Sequence, residues 1–138
     1  MAWCMNEHRD IAQSLLRKAT DDLYAAERLA EEPPASLWII GFHVQQSVEK
    51  AIKGVLVYHS IHYPFTHDIA TLIGLVARSE LPLPPEAQHL RNLTPFGTQF
   101  RYEDEELELP TSMDSERLLK WGSATIAWAN NSIGCPQQ

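Results

Sequence analysis

The chain has 138 residues, 44% of them hydrophobic and 21% charged, which gives one ordinary domain with a real core and excludes a disordered tail. Its 18 acidic residues against 11 Lys and Arg leave a net charge of -7, which excludes a general nucleic-acid clamp, because nonspecific affinity comes from neutralising phosphates. No apolar run reaches the roughly 18 residues that a membrane span needs, and the first residues lack the basic region and apolar core of a signal peptide, so the expected location is cytoplasmic.

Residues 6–32 predict a first helix, because Leu16, Ala19, Leu23, Ala26 and Ala30 recur at three- and four-residue steps until Pro33 and Pro34 stop it. Ser36, an N-cap residue type, opens a second helix over 35–60 with Gly54 inside it. Thr66 is the expected N-cap of a third, with Asp68 in its first turn. Ile69, Leu72, Ile73, Val76 and Ala77 then follow the helical period. Pro84 and Pro85 open a short fourth helix to about 93, and 94–112 reads as irregular and acidic. The last helix starts near Ser112 or Asp114 and carries Leu118, Leu119, Gly122, Thr125, Ile126 and Ala129 on one face, and the tail 132–138 frays. No segment alternates as a strand does. The fold class is therefore all-α, an antiparallel up-and-down bundle of four to five helices forming a single domain over 1–138, with its core in about 7–131.

The second helix holds the informative pattern. On a wheel of roughly 100° per residue, Ile40, Val44, Val48, Ala51, Ile52 and Val55 form the core stripe, with Gln45 and Glu49 flanking it. Nearly opposite, His43, Gln46, Lys50 and Lys53 make one polar line. Such a line is an ordinary solvated face on pattern alone. Against that, it combines two ammonium groups, an amide and an imidazole, a set able to hold a phosphate and read a base edge. It contains no acid of its own, and Phe42 and Val57 lie off the main stripe, where a second subunit would cover them.

Residues 42–56, Phe42-His43-Val44-Gln45-Gln46-Ser47-Val48-Glu49-Lys50-Ala51-Ile52-Lys53-Gly54-Val55-Leu56, resemble the signature helix of the HEPN family (higher eukaryotes and prokaryotes nucleotide-binding domain). Thr66-His67-Asp68-Ile69 with Leu72 is similar to that family's start of the next helix, and Phe100-Arg101-Tyr102-Glu103-Asp104 to the segment before the last one. Ala19, Asp22, Leu23 and Ala26 fit its first helix, so the markers span about 19–130 in the family's order. The resemblance implies a helical bundle, usually a homodimer, often acting with a minimal nucleotidyltransferase partner as a toxin–antitoxin pair. Many other members are metal-independent ribonucleases that carry an Arg followed, after four to six residues, by a His. This chain departs there: neither Arg91 nor Arg101 has that His, and no His follows His89. A neutral-pH acid–base group is what metal-free RNA cleavage needs, so no catalytic residue is assigned. The resemblance also implies that a tyrosine of this region can accept a nucleotide from the partner enzyme. Tyr102 stands there without the neighbouring His of that pattern.

The expected ligand site is thus a nucleotide- or phosphate-binding cleft of His43, Gln46, Lys50, Lys53, His67, Arg101 and Tyr102, taking a nucleotide or an RNA end. The lysines serve as point charges, Arg101 as a phosphate clamp and Tyr102 as a stacking surface. Asp22 is the expected partner of Lys50 or Lys53 across the bundle, Asp21 is solvated, and Trp121 with Trp128 packs in the core or a dimer. With Cys4 and Cys135 alone at the two ends, and His59, His62 and His67 read as surface residues, neither a metal nor a cofactor is expected. No DNA-binding motif is present. Two other readings stand beside this one. The chain is a protein-interaction module whose acidic 103–108 docks a basic partner, or a metal-independent ribonuclease with a degenerate motif.

Overall fold

A computed structural model describes residues 2–98 and 113–133. These form helices α1 (Ala2–Leu29), α2 (Leu37–Tyr58), α3 (Ile69–Arg78), α4 (Ala87–Leu90), α5 (Thr94–Thr98) and α6 (Ser115–Ser132), with a 3-10 turn at Arg91–Leu93 between α4 and α5. There is no strand among the described residues. The long helices α1, α2 and α6 pack on one another, and α3, the 3-10 turn and α5 close over the flank of α2, with α4 packed on α3 and the turn.

Small residues set how closely α1 and α2 approach. Ala12, Ala19 and Ala26 recur every seventh position with no exposed surface, alternating with buried Leu16 and Leu23. Ser47 donates its hydroxyl to the Ala19 carbonyl at 2.7 Å. A Cβ at Gly54 would stand 3.3 Å from the Ala12 carbonyl. Ser47 therefore faces Ala19 and position 54 faces 12, the falling register of an antiparallel pair, as the sequence predicts. The predicted stripe is the observed core: Ile40, Val44, Val48, Ala51, Ile52 and Val55 are at most 1% exposed. Burying each large member contributes about 1.5–3 kcal/mol. Trp121 and Trp128 are buried on α6, and the Trp128 indole N–H donates to the Pro82 carbonyl at 3.0 Å, tying α6 to the segment after α3.

Several boundaries differ from the sequence expectation, and the fourth helix begins at Ala87 rather than at Pro84 and gives way to a 3-10 turn over Arg91–Leu93. α1 begins at Ala2 rather than 6 and ends at Leu29 rather than 32. α3 begins at Ile69 with Asp68, not Thr66, as its N-cap. The Thr66 hydroxyl instead accepts the Asp68 N–H at 3.0 Å, and Thr94 of α5 supplies the hydroxyl that accepts the first N–H of α3, from Ile69, at 3.2 Å. The stretch expected to be irregular from 94 is helical over Thr94–Thr98. Pro95 sits in its first turn, where no donor is needed, and Phe96 anchors it at 2% exposed. α6 starts at Ser115 after Asp114, one of the two expected starting points, and the Asp114 carboxylate caps it by accepting the Arg117 N–H at 2.8 Å.

Candidate functional site

The polar line of α2 lies along two clusters of the same composition, each a carboxylate, a lysine and a histidine. In the first, Lys50 donates to Asp22 of α1 at 2.5 Å, one of the two pairings the sequence allows for Asp22. His43 Nδ1 lies 3.6 Å from the other Asp22 oxygen, beyond a hydrogen bond, and is buried without a hydrogen-bond partner. The side chains are 18–28% exposed, so water reaches this cluster.

The second cluster is built around Glu49, which the sequence reading set at the flank of the core stripe. The structure buries it with Gln45: the two residues are 5% and 0% exposed. The preceding segment and α5 cover this side of α2, and a Cβ at Gly97 would collide with the Gln45 side chain. Glu49 accepts from Gln45 Nε2 at 2.8 Å, from Lys53 Nζ at 2.9 Å and from His67 Nδ1 at 3.1 Å. A carboxylate only accepts, so His67 carries its proton on Nδ1 and leaves Nε2 for another partner. Gln46 joins by donating to Gln45 Oε1 at 2.7 Å, and Gln45 also reaches the His67 carbonyl at 3.4 Å. Burial pushes the Glu49 carboxyl up, but the hydrogen bonds from Lys53, Gln45 and His67 and the charge of Lys53 outweigh it, holding the group below its ordinary value.

The structure thus brings His43, Gln46, Lys50, Lys53 and His67 onto one seam of α2 and the segment before α3. Both lysines take their carboxylates from outside the predicted line. Arg101, Tyr102 and the acidic 103–108 lie outside the described residues, as does the tail from 134. His67 is not in a first helical turn. It precedes the N-cap, and the Asp68 carboxylate there accepts from the Thr71 hydroxyl at 2.7 Å. The member that sequence reasoning missed is Glu49. Its signal is the Glu-to-Lys spacing i, i+4 to Lys53, the favourable order on a helix.

A groove of about 570 Å³ lined by Gln13, Leu16, Arg17, Thr20, Asp21 and Asn130 lies between α1 and α6, and no residue of either cluster lines it. Among the described residues no group of His, Cys, Asp and Glu is placed to hold a metal ion, and no helix is long and apolar enough to cross a membrane.

No curated protein and no solved structure matches the chain significantly. A family model for the HEPN domain matches residues 12–132, from the first buried alanine of α1 through the end of α6, both clusters included. The chain therefore belongs to the HEPN domain family, a family of nucleotide- and RNA-related helical modules.

Proposed function

We propose that this HEPN protein is a non-catalytic or weakly active homodimer that binds a nucleotide or an RNA end along the α2 seam and works beside a nucleotidyltransferase partner in a toxin–antitoxin-like pair. The observation that carries the reading is the family match over 12–132 combined with His43, Gln46, Lys50, Lys53 and His67 on one edge of α2. An ammonium has three donors, and the structure accounts for one on Lys50. The others are free to hold phosphate oxygens while Asp22 keeps the chain of Lys50 in place. Gln46 offers a polar edge for the base. Arg101 and Tyr102 would complete the site as clamp and stacking surface. The lack of any His after His89 supports binding without the usual ribonuclease chemistry.

The test is a thermal-shift series with nucleotides and short RNAs, without metal and then with magnesium. A ligand present at a hundredfold excess over its Kd stabilises by about 2.7 kcal/mol, a shift of several degrees. Lys50→Ala is the informative variant, because removing Lys53 leaves Glu49 a buried carboxylate without its cation. Wild type shifting and Lys50→Ala shifting less is the expected result. Equal shifts in both would remove Lys50 from the site.

One observation favours the second reading, a protein-interaction module without a ligand. Both lysines are already neutralised by carboxylates, so the seam gains net positive charge only when an imidazole is protonated. That reading predicts no thermal shift with millimolar nucleotide, and a partner recovered by pull-down.

A further inference from the structure

The segment between α2 and α3 carries one side chain that the fold does not use. Phe65 is 95% exposed, whereas the other large exposed apolar residues among those described, Ile11, Tyr24 and Leu83, are 44–60% exposed. A single exposed apolar residue is ordinary. Phe65 is set apart by its surroundings. Its ring lies 5.6 Å from that of His67, edge to face, and His67 Nδ1 holds Glu49. Lys53 holds the same carboxylate and stands 5.5 Å over the ring of Tyr63. Two aromatic rings of one segment therefore bracket the lysine and the histidine of the buried-carboxylate cluster.

The backbone here is also restrained. Pro64 fixes its own φ just before Phe65, and the Thr66 hydroxyl takes the Asp68 N–H just after it. A ring with only two side-chain torsions on such a backbone loses little freedom when a flat partner covers it. A protein-docking patch needs several contiguous apolar side chains. Here a single almost fully exposed ring stands beside an exposed imidazole, a mixture that suits a nucleotide, with its base on the ring and its phosphate on polar groups.

We propose that Phe65 is a stacking platform for the base of a nucleotide whose phosphate end reaches past His67 onto the polar seam of α2. The inference rests on the nucleotide-binding reading above and adds to it the residue that recognises the base. The His67 side chain is 45% exposed and stands next to the ring, so it is the polar group nearest to a base stacked there.

Titration calorimetry with AMP and with ribose 5-phosphate separates the two ideas. Wild type is expected to bind AMP about tenfold more tightly than ribose 5-phosphate, the size of one base–aromatic stack. Phe65→Ala should bring AMP down to the ribose 5-phosphate level, while Phe65→Trp keeps the difference. A 2-aminopurine nucleotide should be quenched by wild type and by Phe65→Trp but not by Phe65→Ala. If AMP and ribose 5-phosphate bind wild type equally, the stacking idea fails and phosphate binding stands. If neither binds, the nucleotide reading fails and takes the platform with it. If Phe65→Ala keeps the AMP advantage, the base sits elsewhere. Sedimentation that shows Phe65→Ala breaking a dimer, with AMP binding unchanged, would assign the ring to a protein interface and overturn the proposal.

Discussion

Two clusters built from the same three kinds of residue behave as different objects. Around Asp22 one lysine is hydrogen-bonded and the imidazole of His43 stands off at 3.6 Å with its Nδ1 buried, while each side chain as a whole is partly exposed. Around Glu49 three side chains converge on a carboxylate that is 6% exposed. The charged and imidazole groups are shared, so the difference comes from enclosure and from the added Gln45 donor. A buried carboxylate is tolerated only when its oxygens are fully engaged, and removing a partner then exposes the whole desolvation cost. A partly hydrated pair keeps water as a substitute and has little to lose. The Glu49 cluster is thus a structural joint with one accessible member, His67. The Asp22 cluster is the side with donors to spare.

The largest test of that contrast is Glu49→Ala. It strands Lys53, at 13% side-chain exposure, and the buried Gln45 amide, and should cost about 3 kcal/mol or more in urea unfolding. A loss under about 1 kcal/mol would place the two clusters in the same class. Next comes acid. The folded-state pKa of Glu49 lies below its unfolded one, so its contribution is complete above the ordinary carboxylate value, about 4.3, and is lost as the pH falls through the lower folded value. The stability gap between wild type and Glu49→Gln should therefore be full at neutral pH and close in that acid window. A gap that stays constant down to pH 2 would mean that the carboxylate is not ionised preferentially in the fold. Asp22→Ala should cost no more than about 1 kcal/mol, and molar salt should shrink even that. The smallest effect belongs to Phe65→Ala. The ring is as exposed in the fold as in the unfolded chain, so the melting midpoint should hold within about 0.5 kcal/mol. A larger drop would reveal a packing role for it.

Much of this arrangement could be read from residue spacing. Val44, Val48, Ala51, Ile52 and Val55 mark the buried face of α2, and of the two lysines expected against Asp22 it is Lys50 that pairs with it, while Lys53 pairs with Glu49. The site's enclosed half was not legible. A wheel places Gln45 and Glu49 at the border of the apolar stripe, and which side of that border is covered depends on α5 and the segment before α3. Gly97 and His67 do the covering, and both are remote in sequence. The start of α3 failed for a related reason. Thr66 and Asp68 are both N-cap types, and the choice between them is made by Thr94, which offers its hydroxyl to Ile69 from 25 positions away. Pro95 and Gly97 look like breakers, yet Pro95 suits a first turn and buried Phe96 holds the short helix in place.

The alanines of α1 have a mechanical consequence for the seam. Ala12 and Ala19 take up positions where α2 comes close, Ala26 continues the buried row, and Leu16 and Leu23 alternate with them. Sliding α1 by one turn, about 5.4 Å, would drive leucines into slots cut for alanines, so the pair of helices works as a keyed shaft with a single seating. Asp22 rides on that shaft. Its reach to Lys50 and its stand-off from His43 are dimensions inherited from methyl-sized teeth one turn away, and they would survive deletion of the ion pair. A larger side chain at Ala19 would do what no change of charge at the seam can: shift a carboxylate out of alignment with the lysine and histidine of α2 while leaving all three in the chain.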